Sequence, residues 1–269
     1  MVQQNSTVTL SDIASGLDTV GISAGDVVLV HSSLSAFGHV EGGADTVIDA
    51  LLETVGATGT VVVPTFTWGP FHKAETAVLD IVNTPVKDEV GIIPETFRKR
   101  PQARRSVHIC HSVAAIGPHT DGVMGEGIRS FGAGSTFHQL YQLDAWCLFL
   151  GATFGSCTEL HAVEEYMQVP YRSYRDFRGS KVILPDGSEI ESQSVEFLRT
   201  PGYGNDFVKM RDILAGHGVL NITTVGQAET IAVRIRDIFD ISVQYMREDI
   251  GFLLDEPSQH KLAESMSQQ

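Results

Sequence analysis

Hydrophobic positions in the first part of the chain fall into two textures. ADTVIDALLETV, residues 44–55, puts Val47, Ile48, Leu51 and Leu52 on one side of a helix that Gly56 stops. VVLVHSS, after Gly25-Asp26, and TVVVPTF, residues 60–66, are unbroken β-branched runs of the kind seen in strands buried on both faces. Strand, helix and strand within about forty residues predict a parallel pair joined by a crossover helix. Ser11, before an apolar-periodic segment, predicts a capped first helix.

The alternation continues. The pattern predicts helices at 92–100, 136–145 and 157–167 and strands at 111–117 and 146–151. From Tyr171 to Ile190 the texture changes, and SKVILPDGSEI alternates around Pro185-Asp186-Gly187, a hairpin signal. Residues 206–215 and 226–254 read as helix again, the second long and amphipathic. The fold class expected is therefore α/β in three layers, a mainly parallel central sheet flanked by helices. One domain spans 1–256, with a small antiparallel insertion at about 171–191 and a flexible polar tail at 257–269.

Composition narrows the function classes. Of 269 residues, 42% are hydrophobic and 19% charged, enough for a sizeable core. Lys plus Arg number 19 against 33 Asp plus Glu, a net charge of −14. That balance disfavours nucleic acid and anionic membranes as partners and suits a cationic small molecule. The opening MVQQNSTVTLSDIASGLDTVG lacks a basic segment followed by an apolar core, and no apolar run reaches the roughly 18 residues of a membrane span. Cys110, Cys147 and Cys157 cannot all pair and form no CxxC. Reduced thiols and a cytoplasmic protein are expected.

There is no GxxxxGK[ST], no GxGxxG after a strand, no HExxH and no GxSxG; GATFG, 151–155, carries threonine at the elbow position. Three clusters remain. VHSSLSAFGHVEGGAD, 30–45, follows the first strand, where open α/β sheets bind ligands, and its Ser32, Ser33 and Ser35 suit phosphate or pantetheine contacts or a plain hydrogen-bonded turn. RRSVHICHSVAAIG, 104–117, offers Arg104 and Arg105 to phosphates. Its His108 and His111 stand in an extended segment that would aim them at opposite faces, against a metal pair. CTELHAVEEYM, 157–167, places His161 and Glu164 at i and i+3 on one helical face. A carboxylate beside an imidazole raises its basicity and fixes its orientation, as a general base requires. Glu165 lies about a hundred degrees round the helix, and Cys157 reads as nucleophile or as small buried residue.

These blocks in order, with VPTFTW, FGAGSTFHQL and LFLGATFGSCTELHAVEE between and after them, resemble the aminoglycoside 3-N-acetyltransferases over roughly residues 8–255. The resemblance implies acetyl transfer from acetyl-CoA to the 3-amino group of a 2-deoxystreptamine ring, with no metal. It puts His31, Ser32, Ser33 and Ser35 in the coenzyme A loop and Ser112 and Val113 in a later segment lining that cofactor. His161 of TxxHxxE becomes the base and Glu164 its acidic partner. Ser33, Ser112 or a backbone N–H would face the thioester oxygen, and Asp176 and Asp206 are the carboxylates expected to receive the cationic sugar. Two departures stand out: His108 is followed by Ile109 rather than proline, and Ser135 by Thr136. Rival readings are another amine acceptor, a metal-dependent hydrolase using His108, His111, His161 and Glu164, and a non-catalytic binding module. Monomer and homodimer both remain open.

Overall fold

A computed structural model describes residues 7–71 and 74–268. Its strands, in chain order, are β1 (Val27–Ser32), β2 (Thr60–Pro64), β3 (Val78–Asp80), β4 (Arg104–Arg105), β5 (Val113–Ile116), β6 (Trp146–Leu150), β7 (Arg172–Asp176), β8 (Lys181–Ile183), β9 (Glu189–Glu191), β10 (Val195–Arg199), β11 (Asn221–Val225) and β12 (Ala228–Arg234). The central sheet runs β11-β12-β6-β1-β2-β5-β4. At its heart β6, β1 and β2 are parallel. The flanking strands β12, β11, β5 and β4 each join antiparallel.

Val27–Val30 of β1 are all apolar because both faces of the strand are covered there. Val28 and Val30 pack with Leu17, Val47, Ile48 and Leu51 from the Leu10–Thr19 and Ala44–Val55 helices. Val27 and Leu29 point the other way, into a core shared with Phe137, Leu160, Val163 and Ile238 of helices Thr136–Gln142, Glu159–Tyr166 and Ile235–Glu248. Two-residue periodicity then carries His31 onto the Leu29 side, toward the Glu159–Tyr166 helix.

Several expectations need correction. Thr9, not Ser11, caps the first helix, in a capping box with Asp12. Residues 228–234, read as the start of the long helix, are a strand, because β12 fills the open edge of β6; β11, at 221–225, pairs along it where no element was expected. The antiparallel insertion reaches past 191: the hairpin at Pro185-Asp186-Gly187 forms as β8 and β9, and β7 then pairs with β10 through Arg199. The polar tail is no frayed end. Asp255 accepts the Ser258 N–H at 3.0 Å and starts a helix over Glu256–Ser267 that buries Leu262 in the core. Polar composition concealed that single anchor.

One glycine fixes the turn that presents the serines. Gly151 ends β6 at φ +68°, and a Cβ there would stand 2.4 Å from the Ala36 Cβ and 3.3 Å from the Ser33 carbonyl oxygen. The left-handed backbone alone costs an ordinary residue about 1–2 kcal/mol, and overpacking adds about 1–3 kcal/mol. Gly187, at φ +83° in the hairpin, has nothing within 4 Å of such a Cβ. Urea denaturation should therefore show Gly151→Ala losing about 2–5 kcal/mol and Gly187→Ala only about 1–2 kcal/mol. Equal losses would mean that the serine turn yields freely.

Candidate active site

At the carboxyl ends of β1 and β6 opens a cavity of about 1320 Å³, the position at which open α/β sheets take their ligands. His31, Ser32, Ser33, Ser35 and His161 all line it, joined by Arg172, Glu196 and the 198–203 segment. His31 stacks on Phe149, its partner in the β1–β6 register, at 5.3 Å, and its Nε2 lies 3.4 Å from Glu159 Oε2. The Ser32 hydroxyl is buried with no partner among the described residues, while Ser33 and Ser35 share a hydrogen bond of 3.3 Å.

His161 and Glu164 meet as their spacing predicts, with Nδ1 2.6 Å from Oε2. Glu164 is wholly buried. The cation that holds it is Arg172 of β7, whose Nε lies 2.8 Å from the same oxygen and whose Nη2 lies 2.8 Å from His161 Nδ1. A bare Nδ1 would set its lone pair against a carboxylate at 2.6 Å. Arg172 Nη2 can only donate and would suit a bare Nδ1 at 2.8 Å, but the shorter 2.6 Å contact to the carboxylate decides: the proton is assigned to Nδ1, donating to Glu164, and Nε2 keeps its lone pair. Burial pushes the Glu164 carboxyl up, but Arg172 and His161 more than reverse it and hold it below its ordinary range. Burial and then the Arg172 charge outweigh Glu164 at the imidazole and bring His161 down to about 4. Phe131 and Phe207 flank its ring at 5.2 and 4.9 Å.

A second pair stands beside the first. His111 Nδ1 lies 2.9 Å from Glu196 Oε2, and Phe131 sits between the two histidines, 4.7 Å from His111. Burial would raise Glu196, yet His111, His108 and His161 carry it down to about 2. His108 and His111 do not face apart as an extended segment would make them; a turn sets their rings 6.0 Å apart, near enough with Glu196 to suggest a metal triad. The hydrogen bonds argue otherwise. His108 Nδ1 accepts the backbone N–H groups of Cys110 and His111 at 3.2 and 3.0 Å. That leaves its proton on Nε2, 3.4 Å from the Val195 carbonyl, so neither ring nitrogen is bare for an ion.

Other expected residues fall outside the cavity. Val113 is buried in the sheet, and the Ser112 hydroxyl donates to the Thr65 carbonyl at 2.7 Å and receives Arg105 Nε at 3.1 Å. Arg105 also donates to the Thr84 and Thr65 carbonyls at 2.8 Å, and Arg104 pairs with Asp121, so neither faces a phosphate site. Asp176 pairs with Arg178, and Asp206 is not on the cavity wall, although its neighbours Asn205 and Phe207 are. Cys157 reaches the wall, but burial pushes its thiol up to about 11, which keeps it protonated and a poor nucleophile. The charged wall is instead Lys87, Glu89, Arg172, Glu196 and Arg199. The trace of Glu196 in the sequence was a lone acid inside the apolar alternation of SVEFL; Arg172 left none.

Comparison with known proteins places this geometry. A family model described as aminoglycoside 3-N-acetyltransferase matches residues 29–247. Aminoglycoside N(3)-acetyltransferase VII of Streptomyces paromomycinus is 30% identical, over 91% of this chain and 93% of its own. AAC-IIIb, solved with CoASH, superposes with a TM-score of 0.78 at 23% identity, over 90% of this chain and 97% of its own. A histidine-to-alanine mutant of AAC(3)-IVa, solved with gentamicin, gives 0.77 at 24% identity, over 96% and 95%. At those identities the two structures bear on the fold.

The depressed His161 value carries a pH signature. In the unfolded chain the imidazole binds its proton near 6.5, in the folded protein only near 4, so acidification through that window lowers stability. Arg172→Gln should raise the His161 midpoint, followed by ring ¹⁵N NMR, and narrow the window. An unmoved midpoint would assign the whole depression to burial.

Proposed function

Because the chain belongs to the aminoglycoside 3-N-acetyltransferase family, we propose that it moves an acetyl group from acetyl-CoA to the 3-amino group of a 2-deoxystreptamine ring, with His161 as general base. The observation that carries the reading is the imidazole held at 2.6 Å by a buried carboxylate on the wall of a large cavity. When bound, acetyl-CoA supplies the activated acetyl thioester.

The serine turn fits that co-substrate. Ser32 offers a buried hydroxyl with no partner among the described residues, and Ser33 and Ser35 lie beside it on the wall. Lys87 and Arg199 are the wall cations that suit its phosphates, in place of Arg104 and Arg105. Ser33, whose hydroxyl shares only a 3.3 Å hydrogen bond with Ser35 on the wall, rather than Ser112, is the hydroxyl to face a developing oxyanion.

His161 Nε2 takes the proton. An amine nitrogen becomes strongly acidic as its lone pair enters the new C–N bond, so an imidazole with a depressed pKa still serves as acceptor. Its depression also keeps it unprotonated throughout the neutral range. Glu164 holds Nδ1–H and stabilises the imidazolium as it forms, and Arg172 fixes Glu164. Glu196 replaces Asp176 and Asp206 as the carboxylate for the cationic acceptor, since it lies on the wall beside both histidines.

Coenzyme A release in the presence of gentamicin should fall about 10²–10⁴-fold in His161→Ala, with coenzyme A affinity retained. An unchanged rate would overturn the base assignment; loss of coenzyme A binding alone would make His161 a structural residue. Glu196→Gln should raise the KM for the antibiotic about tenfold or more, the weight of a charge-assisted hydrogen bond. A lowered kcat at constant KM would remove Glu196 from acceptor binding.

A further inference from the structure

The Glu159–Tyr166 helix has two working faces. His161 turns toward the large cavity with Glu164 buried behind it; Ala162, Glu165 and Tyr166 border another of about 740 Å³, walled on its other sides by the 129–133 segment and the Thr136–Gln142 and Ile235–Glu248 helices. That volume is within the range of small-molecule sites. Aromatic rings form much of its wall: Phe239 packs against Tyr141 at 5.0 Å and Tyr166 at 5.3 Å, with Phe131 and Phe137 deeper.

Three carboxylates reach this wall: Asp240, at the exposed edge, accepts the Tyr141 hydroxyl at 3.1 Å, and Glu159 and Glu165 are almost fully buried, 1% and 2% exposed. Each of the buried two has one oxygen engaged. Glu159 Oε2 faces His31 Nε2 at 3.4 Å; Glu165 Oε1 accepts Arg129 at 3.0 Å and the Tyr174 hydroxyl at 3.2 Å. Their other oxygens, Glu159 Oε1 and Glu165 Oε2, are buried with no partner among the described residues. A buried carboxylate oxygen without a donor is costly, and a small turn of each carboxylate toward the cavity would let N–H groups of a guest relieve that cost.

We propose that this second cavity binds a small organic ammonium ion, its N–H donors on Glu165 Oε2 and Glu159 Oε1 and its body against the aromatic wall. Aromatic faces attract cations, and the carboxylates repel an anion. A neutral apolar guest would leave both oxygens unsatisfied. Of the two arginines on the wall, Arg129 and Arg247, the first is already held by Glu165 and stacks 5.0 Å over the Tyr174 ring. The proposal does not rest on the acetyl-transfer reading, since no residue of that chemistry accepts from this ligand.

The test is a titration of the intact, methyl-labelled protein with benzylammonium, followed at Ile235 and Val243, both on the cavity wall. Saturable shifts are expected, absent with benzyl alcohol and benzoate. Glu165→Gln should weaken binding about tenfold or more. Tyr166→Ala, at an exposed position, should weaken it several-fold even if the buried substitution unfolds the protein. Equal response to benzyl alcohol, unchanged affinity in Glu165→Gln or in Tyr166→Ala, or shifts confined to Ile92 and Leu198 of the large cavity would each overturn the proposal.

Discussion

A carboxylate with no exposed surface, Glu164, is the anion around which the site is organised. Charge that is taken out of water survives only with partners of opposite sign in good geometry. Arg172 and His161 are those partners, both within 3 Å of one oxygen. The pairing ties a helix that follows β6 to a strand of the antiparallel insertion, so the cleft between them has a defined width. It also decides which imidazole nitrogen is bare. Without the guanidinium, Glu164 would draw a proton onto His161; with it, the anion is already compensated and the ring remains an acceptor.

The same logic extends across Phe131. Glu196 is paired with His111 rather than with an arginine, which leaves its neighbourhood receptive to an added cation. The protein's overall charge of −14 says little about this, because most of its acids are on the surface. What matters is that three acids, Glu159, Glu164 and Glu196, are buried beside imidazoles of the cavity wall, and that the cations Lys87 and Arg199 lie elsewhere on it.

Local order was legible in the sequence; long-range pairing was not. β1, β2 and β6 announce themselves as apolar runs because parallel strands covered on both faces admit nothing else. His161 and Glu164 could be paired on paper since helical spacing alone brings them together. Arg172 and Glu196 could not, because their positions depend on the β7–β10 register. Arg105 misleads for a related reason: its charge looks available, yet it is spent on carbonyls of residues 65 and 84, distant in the chain. The family resemblance pointed to the turn of serines, which lines the large cavity, and to Ser112 and Val113, which do not reach it. The HxxH pair was read as extended because its turn is held by backbone bonds to His108 itself.

The terminal helix has a mechanical role that its polar sequence hides. Ser258 accepts the Gly204 N–H at 2.7 Å, and Lys261 reaches the Pro201 and Gly202 carbonyls while its ammonium lies 4.3 Å over the Tyr203 ring. Pro201, Gly202 and Tyr203 form part of the rim of the large cavity. Any widening of that entrance for a bulky guest must either break this latch or drag the helix along with the rim. The breathing of the doorway is thus governed by side chains some sixty positions downstream of it.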